Sequence, residues 1–258
     1  MKKTIAIAVS MILFLSLAFS AFGEAGAKSW YCVRNKDHRQ PLVGSDLSFA
    51  ESLGAYYIDH NHGDNDSEKV IYLTFDAGYE NGNVEKILDV MKEKQVTGAF
   101  FVLENLIVKN TELVVRMADE GHFVCNHTAK HPDVTKFDSF EEFKSEIESL
   151  ENVYREYTGR EMSKYFRPPE GRFDTRSLEY ARDMGYKTVF WSFAYEDWDN
   201  GKQMDREAAK KKILDNMHNG AVILLHPTSA TNAAVLGEVI DELKVLGYSF
   251  GSLEELTK

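Results

Sequence analysis

Hydrophobic and polar positions change their period regularly along most of this chain. From residue 69 onward, short runs rich in β-branched and aromatic residues alternate with longer segments whose apolar positions recur every three to four residues. The short runs predict strands and the longer segments predict helices. The predicted strands are 70–75, 99–103, 123–126, 165–167, 188–192, 221–226 and 248–251. The predicted helices are 83–94, 111–120, 140–157, 175–184, 205–218 and 233–246.

Strands that are each separated from the next by one helix predict a parallel sheet, because right-handed crossovers carry the helices outside a shared sheet. A barrel and an open doubly wound sheet both satisfy this order. Polar residues follow five of the strands, and in a barrel the loops at the carboxyl ends of the strands converge on one mouth. We therefore expect an α/β fold, a distorted (β/α) barrel of about seven parallel strands.

The first 68 residues have a different pattern. Two lysines precede an uncharged, mostly apolar run over 5–22, and small residues continue to Ala27. This layout is typical of an export signal, so we expect a signal peptide over 1–27 and a protein that acts outside the cytoplasm. The competing interpretation is an uncleaved membrane anchor. Residues 28–68 are expected to form an N-terminal extension that lies across a catalytic domain over 69–258.

Composition narrows the choice of partner. Hydrophobic residues make up 43% of the chain, which is enough for a sizeable core and excludes a disordered protein. The 41 Asp and Glu residues outnumber the 30 Lys and Arg residues, so the chain has no basic excess with which to bind nucleic acid. The two cysteines, Cys32 and Cys125, are expected to be free thiols without a structural role.

A pair of histidines gives the sharpest local signal. His127 and His131 stand four residues apart, directly after a predicted strand and directly before Pro132. On a helical turn the two imidazoles would lie on one face and could share a metal ion. The alternative is two solvent-exposed histidines on a turn.

Four other positions carry candidate chemistry. Asp76 ends an apolar strand and is either a general base or a turn residue. Arg167 precedes two prolines and could hold a carboxylate by two points or form an ordinary ion pair. Asp197 lies beside Trp198, and His226 stands where a buried strand ends. Each signal is weak by itself, but their order along the chain is specific.

Taken in that order, Thr-Phe-Asp-x-Gly, His-Thr-x-x-His, Arg-Pro-Pro-x-Gly, Asp-Trp and Leu-x-His resemble the five motifs of the NodB-like polysaccharide deacetylases, carbohydrate esterase family four, over 70–256. The resemblance implies a distorted βα barrel with a divalent metal ion at its mouth, and zinc is the expected ion. It also implies a role for each motif residue. These are Asp76 as catalytic base, Arg167 as its orienting partner, His226 as general acid, Asp197 as the support of His226, and His127 and His131 as metal ligands.

Within the family, the Tyr79-Glu80-Asn81-Gly82 segment and residues 191–198 are most similar to the spore-type deacetylases that act on N-acetylmuramic acid and prepare muramic δ-lactam. The resemblance implies metal-dependent de-N-acetylation, with a peptidoglycan glycan strand as partner. Two alternatives stay open, a deacetylase of N-acetylglucosamine in peptidoglycan or chitin oligomers and an inactive carbohydrate-binding barrel. Tyr79 and Arg172 are the candidates for contacts with the lactyl group.

Two positions depart from the family pattern. Ala77 stands where the wider family has a metal-binding aspartate, which leaves two ligands in the pattern, although the muramic acid deacetylases of the comparison also lack it. Asp76, water or Cys125 are the candidates for the third ligand. Ala194 stands where many members carry an acid, and this affects the tuning of His226.

Overall fold

The structure is a computed structural model that describes residues 26–34 and 37–258, so all but two residues of the expected signal peptide lie outside it. The strands within this range are β1 (Lys28–Ser29), β2 (Cys32–Val33), β3 (Leu42–Val43), β4 (Ala55–Tyr56), β5 (Lys69–Ala77), β6 (Ala99–Val102), β7 (Phe123–Asn126), β8 (Ser163–Phe166), β9 (Arg172–Phe173), β10 (Lys187–Val189), β11 (Ala221–Leu225) and β12 (Tyr248–Phe250).

The helices of the described range include all six that the periodicity predicts, each within three residues of its expected ends. They are α1 (Phe49–Ser52), α2 (Val84–Lys94), α3 (Glu104–Lys109), α4 (Thr111–Asp119), α5 (Phe140–Thr158), α6 (Thr175–Asp183), α7 (Arg206–Asp215), α8 (Ala230–Val245) and α9 (Leu253–Leu256), with short 3-10 turns at Val134–Lys136 and Pro169–Gly171. No helix in the described part of the chain is long and apolar enough to cross a membrane.

The main sheet is parallel throughout. Its strands follow the order β11-β5-β6-β7-β8-β10-β4, and β12 pairs with the N-terminal end of β5. Beyond β10, Phe193 bridges to Ile223 of β11, and Ile58 beyond β4 bridges to Ala221 of the same strand. These bridges bring the two ends of the sheet together. The expected distorted barrel is therefore confirmed.

The alternation of side chains along β5 determines which residue faces the site. Ile71, Leu73 and Phe75 pack into the large core cluster that the helices share, whereas Val70 and Tyr72 belong to a separate cluster with Phe101 and Leu256. Successive side chains of a strand point to opposite faces. Asp76 therefore lies on the same face as Tyr72, at the carboxyl end of a central strand.

The N-terminal extension is tied closely to the barrel. The indole ring of Trp30 stacks on Phe190 with ring centroids 4.3 Å apart, and its Nε1 donates a hydrogen bond to the Trp191 carbonyl at 2.8 Å. The extension also supplies β4, an edge strand of the main sheet, which its mixed sequence did not indicate. The proposed boundary between 28–68 and 69–258 remains a prediction.

Candidate active site

A cavity of about 550 Å³ opens at the carboxyl ends of the parallel strands. This is the size of a typical small-molecule site. It is lined by Asp76, His127, His131, Glu170, Gly171, Trp191, Ala194, Tyr195, Trp198, Leu224 and His226. Four of the six site residues predicted from sequence are among these, and the other two, Arg167 and Asp197, contact them from behind.

The carboxylate of Asp76 is held by one oxygen. Nη1 of Arg167 donates to its Oδ1 at 2.8 Å, and the rest of the guanidinium donates to the Val189 carbonyl, the Phe190 carbonyl and the Thr74 hydroxyl at 2.8–3.0 Å. Arg167 is fully buried, and four hydrogen bonds fix its plane. This contact leaves Oδ2 of Asp76 free to face the cavity.

The charges around Asp76 keep it ionised. Burial by itself would raise the pKa of this carboxyl, but the charge of Arg167, the largest of the opposing influences, lowers it below its usual range. A buried carboxylate with one free oxygen can accept a proton from a neighbouring water.

The two histidines of the pair meet without a helical turn. Thr128 and His131 both have positive φ, at 71° and 60°, and the His131 amide donates to the Thr128 hydroxyl at 3.0 Å. This tight bend brings the two rings edge to face with centroids 5.1 Å apart. His127 Nε2 lies 3.5 Å from Asp76 Oδ2, so this imidazole lies beside the candidate base, and His131 lines the same cavity.

His127 is fixed in one tautomer. Its Nδ1 lies 2.8 Å from the Arg167 carbonyl, which can only accept, so Nδ1 carries the proton and Nε2 keeps its lone pair. Burial lowers the pKa of His127 to about 4, so the ring is neutral near pH 7. Arg167 thus orients the base through its side chain and the histidine through its backbone.

His226 approaches the cavity from β11 and is braced by Asp197. Its Nδ1 lies 2.7 Å from Asp197 Oδ1, and its amide donates to Oδ2 at 2.8 Å. Although burial disfavours the charged ring, the hydrogen bond and charge of Asp197 raise the pKa of His226 above its usual value. Because the carboxylate accepts from Nδ1, Nε2 is the nitrogen left for a substrate.

Sequence comparison identifies the family to which this arrangement belongs. The sequence profile of the family described as "Polysaccharide deacetylase" matches residues 63–189. The chain is 39% identical to the peptidoglycan-N-acetylmuramic acid deacetylase PdaA of Bacillus subtilis (strain 168) over 229 residues, 88% of this chain and 85% of that protein. The chain belongs to the polysaccharide deacetylase family.

Two further comparisons bear on this family assignment. The solved structure of Bacillus subtilis PdaA, a family 4 carbohydrate esterase, superposes with a TM-score of 0.83 at 38% identity and covers 90% of this chain and 97% of its own. The peptidoglycan-N-acetylglucosamine deacetylase PgdA of Listeria monocytogenes is 34% identical over 194 residues, 74% of this chain and 39% of that longer protein. One of these relatives is thus named for N-acetylmuramic acid and the other for N-acetylglucosamine.

Deacetylases of this family are generally metal-dependent, and the donors at this mouth suit a divalent ion. His127 presents a neutral nitrogen, His131 lies beside it, and Asp76 offers a carboxylate oxygen, which are donor types that zinc accepts. Among the described residues, no three His, Cys, Asp or Glu side chains are already grouped closely enough to hold an ion by themselves. His127 and His131 would hold the ion, with the carboxylate of Asp76 beside His127.

Three candidates from the sequence do not reach the cavity of this deacetylase. Cys125 is buried with Phe101 in the barrel core beneath the site. Arg172 pairs with Asp133 at 3.0 Å, and the Tyr79 hydroxyl accepts a hydrogen bond from the Asn200 side chain. The structure therefore does not support Cys125 as a metal ligand. It also does not support direct contacts of Arg172 or Tyr79 with a lactyl group.

Some residues of the site gave no signal in the sequence. Asn232 Nδ2 donates to Asp197 Oδ2 at 2.6 Å, and its Oδ1 accepts from the Tyr195 hydroxyl. Glu170 lines the cavity with a positive φ of 56°. Asn232 lies in a helix, and no sequence motif marks it as a site residue. Glu170 could have been predicted from the sequence, because it stands inside the Arg-Pro-Pro-x-Gly motif.

Proposed function

We propose that this chain removes the N-acetyl group from N-acetylmuramic acid in peptidoglycan by hydrolysing the amide bond. The observation that carries this proposal is the pairing of a held, ionised Asp76 with His226 on one cavity, each fixed by a buried partner. A base and an acid on one site are what amide hydrolysis requires. The similarity to PdaA supports muramic acid as the sugar.

Asp76 acts first in the proposed mechanism. Its Oδ2 faces the cavity and takes a proton from the attacking water, while Arg167 keeps Oδ1 occupied and the carboxylate ionised. A divalent ion held by His127 and His131 would supply polarisation of the acetyl carbonyl and a lowered pKa for the water. The tautomer of His127 presents Nε2 to such an ion.

His226 acts second. The amide nitrogen of the sugar leaves as a neutral amine only if it receives a proton, because the amine anion is a very poor leaving group. Asp197 favours the protonated ring and orients it, so that Nε2–H of His226 can donate to the departing nitrogen. The products are acetate and an amino sugar whose free amine lies near the lactyl carboxylate of muramic acid, from which a δ-lactam can form.

The place of action follows from the substrate. Peptidoglycan lies outside the cytoplasmic membrane, so the proposal requires export, which the apolar run over 5–22 supports. That run lies outside the described residues. A role in the spore cortex rests on the same resemblance to the spore-type deacetylases.

The decisive experiment compares defined substrates. The purified protein is incubated with muramic-containing peptidoglycan fragments and with chitin oligomers of equal length, and acetate release and product masses are measured. We expect deacetylation at muramic acid. Deacetylation at glucosamine alone would favour the activity named for PgdA. Metal binding without acetate release from any glycan would favour an inactive carbohydrate-binding barrel.

A further inference from the structure

A second cleft of about 1080 Å³ adjoins the catalytic cavity. The two share Ala194, Tyr195 and Trp198, so a chain that leaves one enters the other. The rest of the cleft is lined by the N-terminal segment, by the loop on both sides of Trp198 and by one residue of α7. These are Trp30, Tyr31, Arg34, Glu196, Asp199, Lys202, Gln203, Met204 and Lys212.

We propose that this cleft binds the adjoining sugars of the same glycan strand, and that its cations meet the lactyl carboxylate of a neighbouring muramic residue. This inference rests on the proposed function. The cleft has about twice the volume of the catalytic cavity, which suits more than one sugar. Because the cleft is continuous with the catalytic cavity, a glycan strand bound in the cavity would extend into the cleft.

The lining of the cleft has more basic than acidic residues, whereas the whole chain is acidic. Arg34, Lys202 and Lys212 face two carboxylates, Glu196 and Asp199, whereas acidic residues outnumber basic ones over the whole sequence. The Asp199 carboxylate accepts from the Gly201 amide at 2.8 Å and so is engaged by its own loop. In the described residues, neither Lys202 nor Lys212 pairs with a carboxylate, which leaves both ammonium groups for a ligand.

Hydrogen bonds fix two of the residues that line the cleft. Arg34 donates to the Ala194 carbonyl at 2.6 Å, so its guanidinium is anchored where the cleft joins the catalytic cavity. Gln203 Nε2 donates to the Asp197 and Asp199 carbonyls at 3.0 and 2.8 Å, and its Oε1 accepts from the Ser229 hydroxyl at 2.6 Å. Gln203 therefore ties the loop that carries Trp198 to the helix behind His226.

Trp198 stands at the junction of the two hollows. Its side chain is 60% exposed, although a large aromatic ring is costly to leave in water. Aromatic faces combine a large apolar area with rigidity, which suits the apolar face of a sugar ring. The ring is therefore placed to support the strand as it passes from the catalytic cavity to the cations.

The test uses Lys212→Ala, with Lys211→Ala as its matched control. Lys211 is the preceding residue of the same helix, but it pairs with Asp215 at 2.6 Å and does not line the cleft. Specificity constants are measured on muramic disaccharide, tetrasaccharide and hexasaccharide and on chitin oligomers of equal length. We expect wild type to prefer the longer muramic substrates.

The expected effect of Lys212→Ala is a loss of about two- to fivefold on the muramic tetrasaccharide, through KM and not kcat, as suits one exposed charge pair. Activity on the muramic disaccharide should be unaffected. An Arg34→Ala, Lys212→Ala double variant should lose more, and raised salt should reproduce the loss in wild type.

Three results would overturn the inference while the proposed function stands. The first is equal activity of wild type on the muramic disaccharide and tetrasaccharide, and the second is equal activity of the Lys212→Ala and Lys211→Ala variants. The third is a loss in Lys212→Ala that is as large on the disaccharide as on the tetrasaccharide. That result would show that Lys212 contacts the lactyl carboxylate of the reacting sugar itself. Absence of acetate release from every muramic substrate would instead refute the proposed function.

Discussion

Arg167 holds Asp76 by one oxygen only, with Nη1 2.8 Å from Oδ1, while Oδ2 lies 3.5 Å from His127 Nε2. One side of the carboxylate is thus a structural contact and the other is available for chemistry. The same arginine receives the His127 Nδ1–H on its backbone carbonyl at 2.8 Å. Charge, orientation and tautomer at the centre of the site therefore all depend on one buried side chain and its own peptide group.

Asp76→Asn tests the base. The amide keeps the shape and can still accept from Arg167, but it cannot take a proton from water. We expect acetate release to fall roughly 10²–10⁴-fold, the usual contribution of a general base. The rate is measured by acetate release on a muramic substrate, with thermal unfolding as a control for folding. A rate within twofold of wild type would exclude Asp76 as the base.

Arg167→Met tests the buried pair. Loss of the guanidinium leaves the Asp76 carboxylate buried without its counter-charge, which is expected to lower the free energy of unfolding by roughly 3–5 kcal/mol. The control is Arg182→Met, whose side chain forms an exposed pair with Asp183 and should change stability by about 0–1 kcal/mol. Both are measured by denaturant unfolding near pH 7.

The stability difference between Arg167→Met and wild type should depend on pH. The pKa of Asp76 is lowered in the folded wild type, so the ion pair contributes above the ordinary carboxyl pKa of about 3.9 and is lost as pH falls through the folded pKa. The penalty of the substitution should therefore shrink in acid. A penalty that stays constant down to the acid limit of folding would contradict this origin.

Much of the fold and part of the site follow from local pattern. Each strand predicted from 69 onward has a counterpart, because buried parallel strands are short apolar runs that helices separate. The position of Asp76 could be predicted from the same pattern, because it is the first charged residue after the apolar run of β5 and so lies near the carboxyl end of that strand. The carboxyl ends of parallel strands meet at one mouth, which is why distant motifs could be assigned to one site.

Other features depend on contacts between distant segments. Nothing local indicates that Ala55 and Tyr56 pair with β10, or that Asn232 reaches Asp197 at 2.6 Å. The bend that joins His127 to His131 uses positive φ at Thr128 and His131, a conformation unfavourable for residues with a side chain. The surrounding structure imposes such a conformation, so the spacing of the histidines alone suggested a helical turn instead.

His127→Ala tests the metal site. The variant removes the buried imidazole whose Nε2 is free of its own proton, so we expect the purified protein to lose most of its bound divalent metal and its activity. His60→Ala is the control, because that histidine is exposed and pairs with Glu51 in the N-terminal extension. Metal content is measured by elemental analysis. Equal metal in His127→Ala and wild type would remove His127 from the ligand set.

Asp197→Asn tests the acid through its pH profile. Asp197 raises the pKa of His226, so wild type should keep the protonated ring, and with it activity, above the ordinary histidine pKa of about 6.5. Without the negative charge of Asp197 the pKa of His226 falls, because burial is then opposed mainly by the more weakly acting charge of Asp76. The alkaline limb of kcat/KM should therefore move to lower pH, with the acidic limb, which reports Asp76, unchanged. An alkaline limb that stays in its wild-type position, whether or not the activity falls, would contradict the role of Asp197 in raising the pKa of an acid at His226.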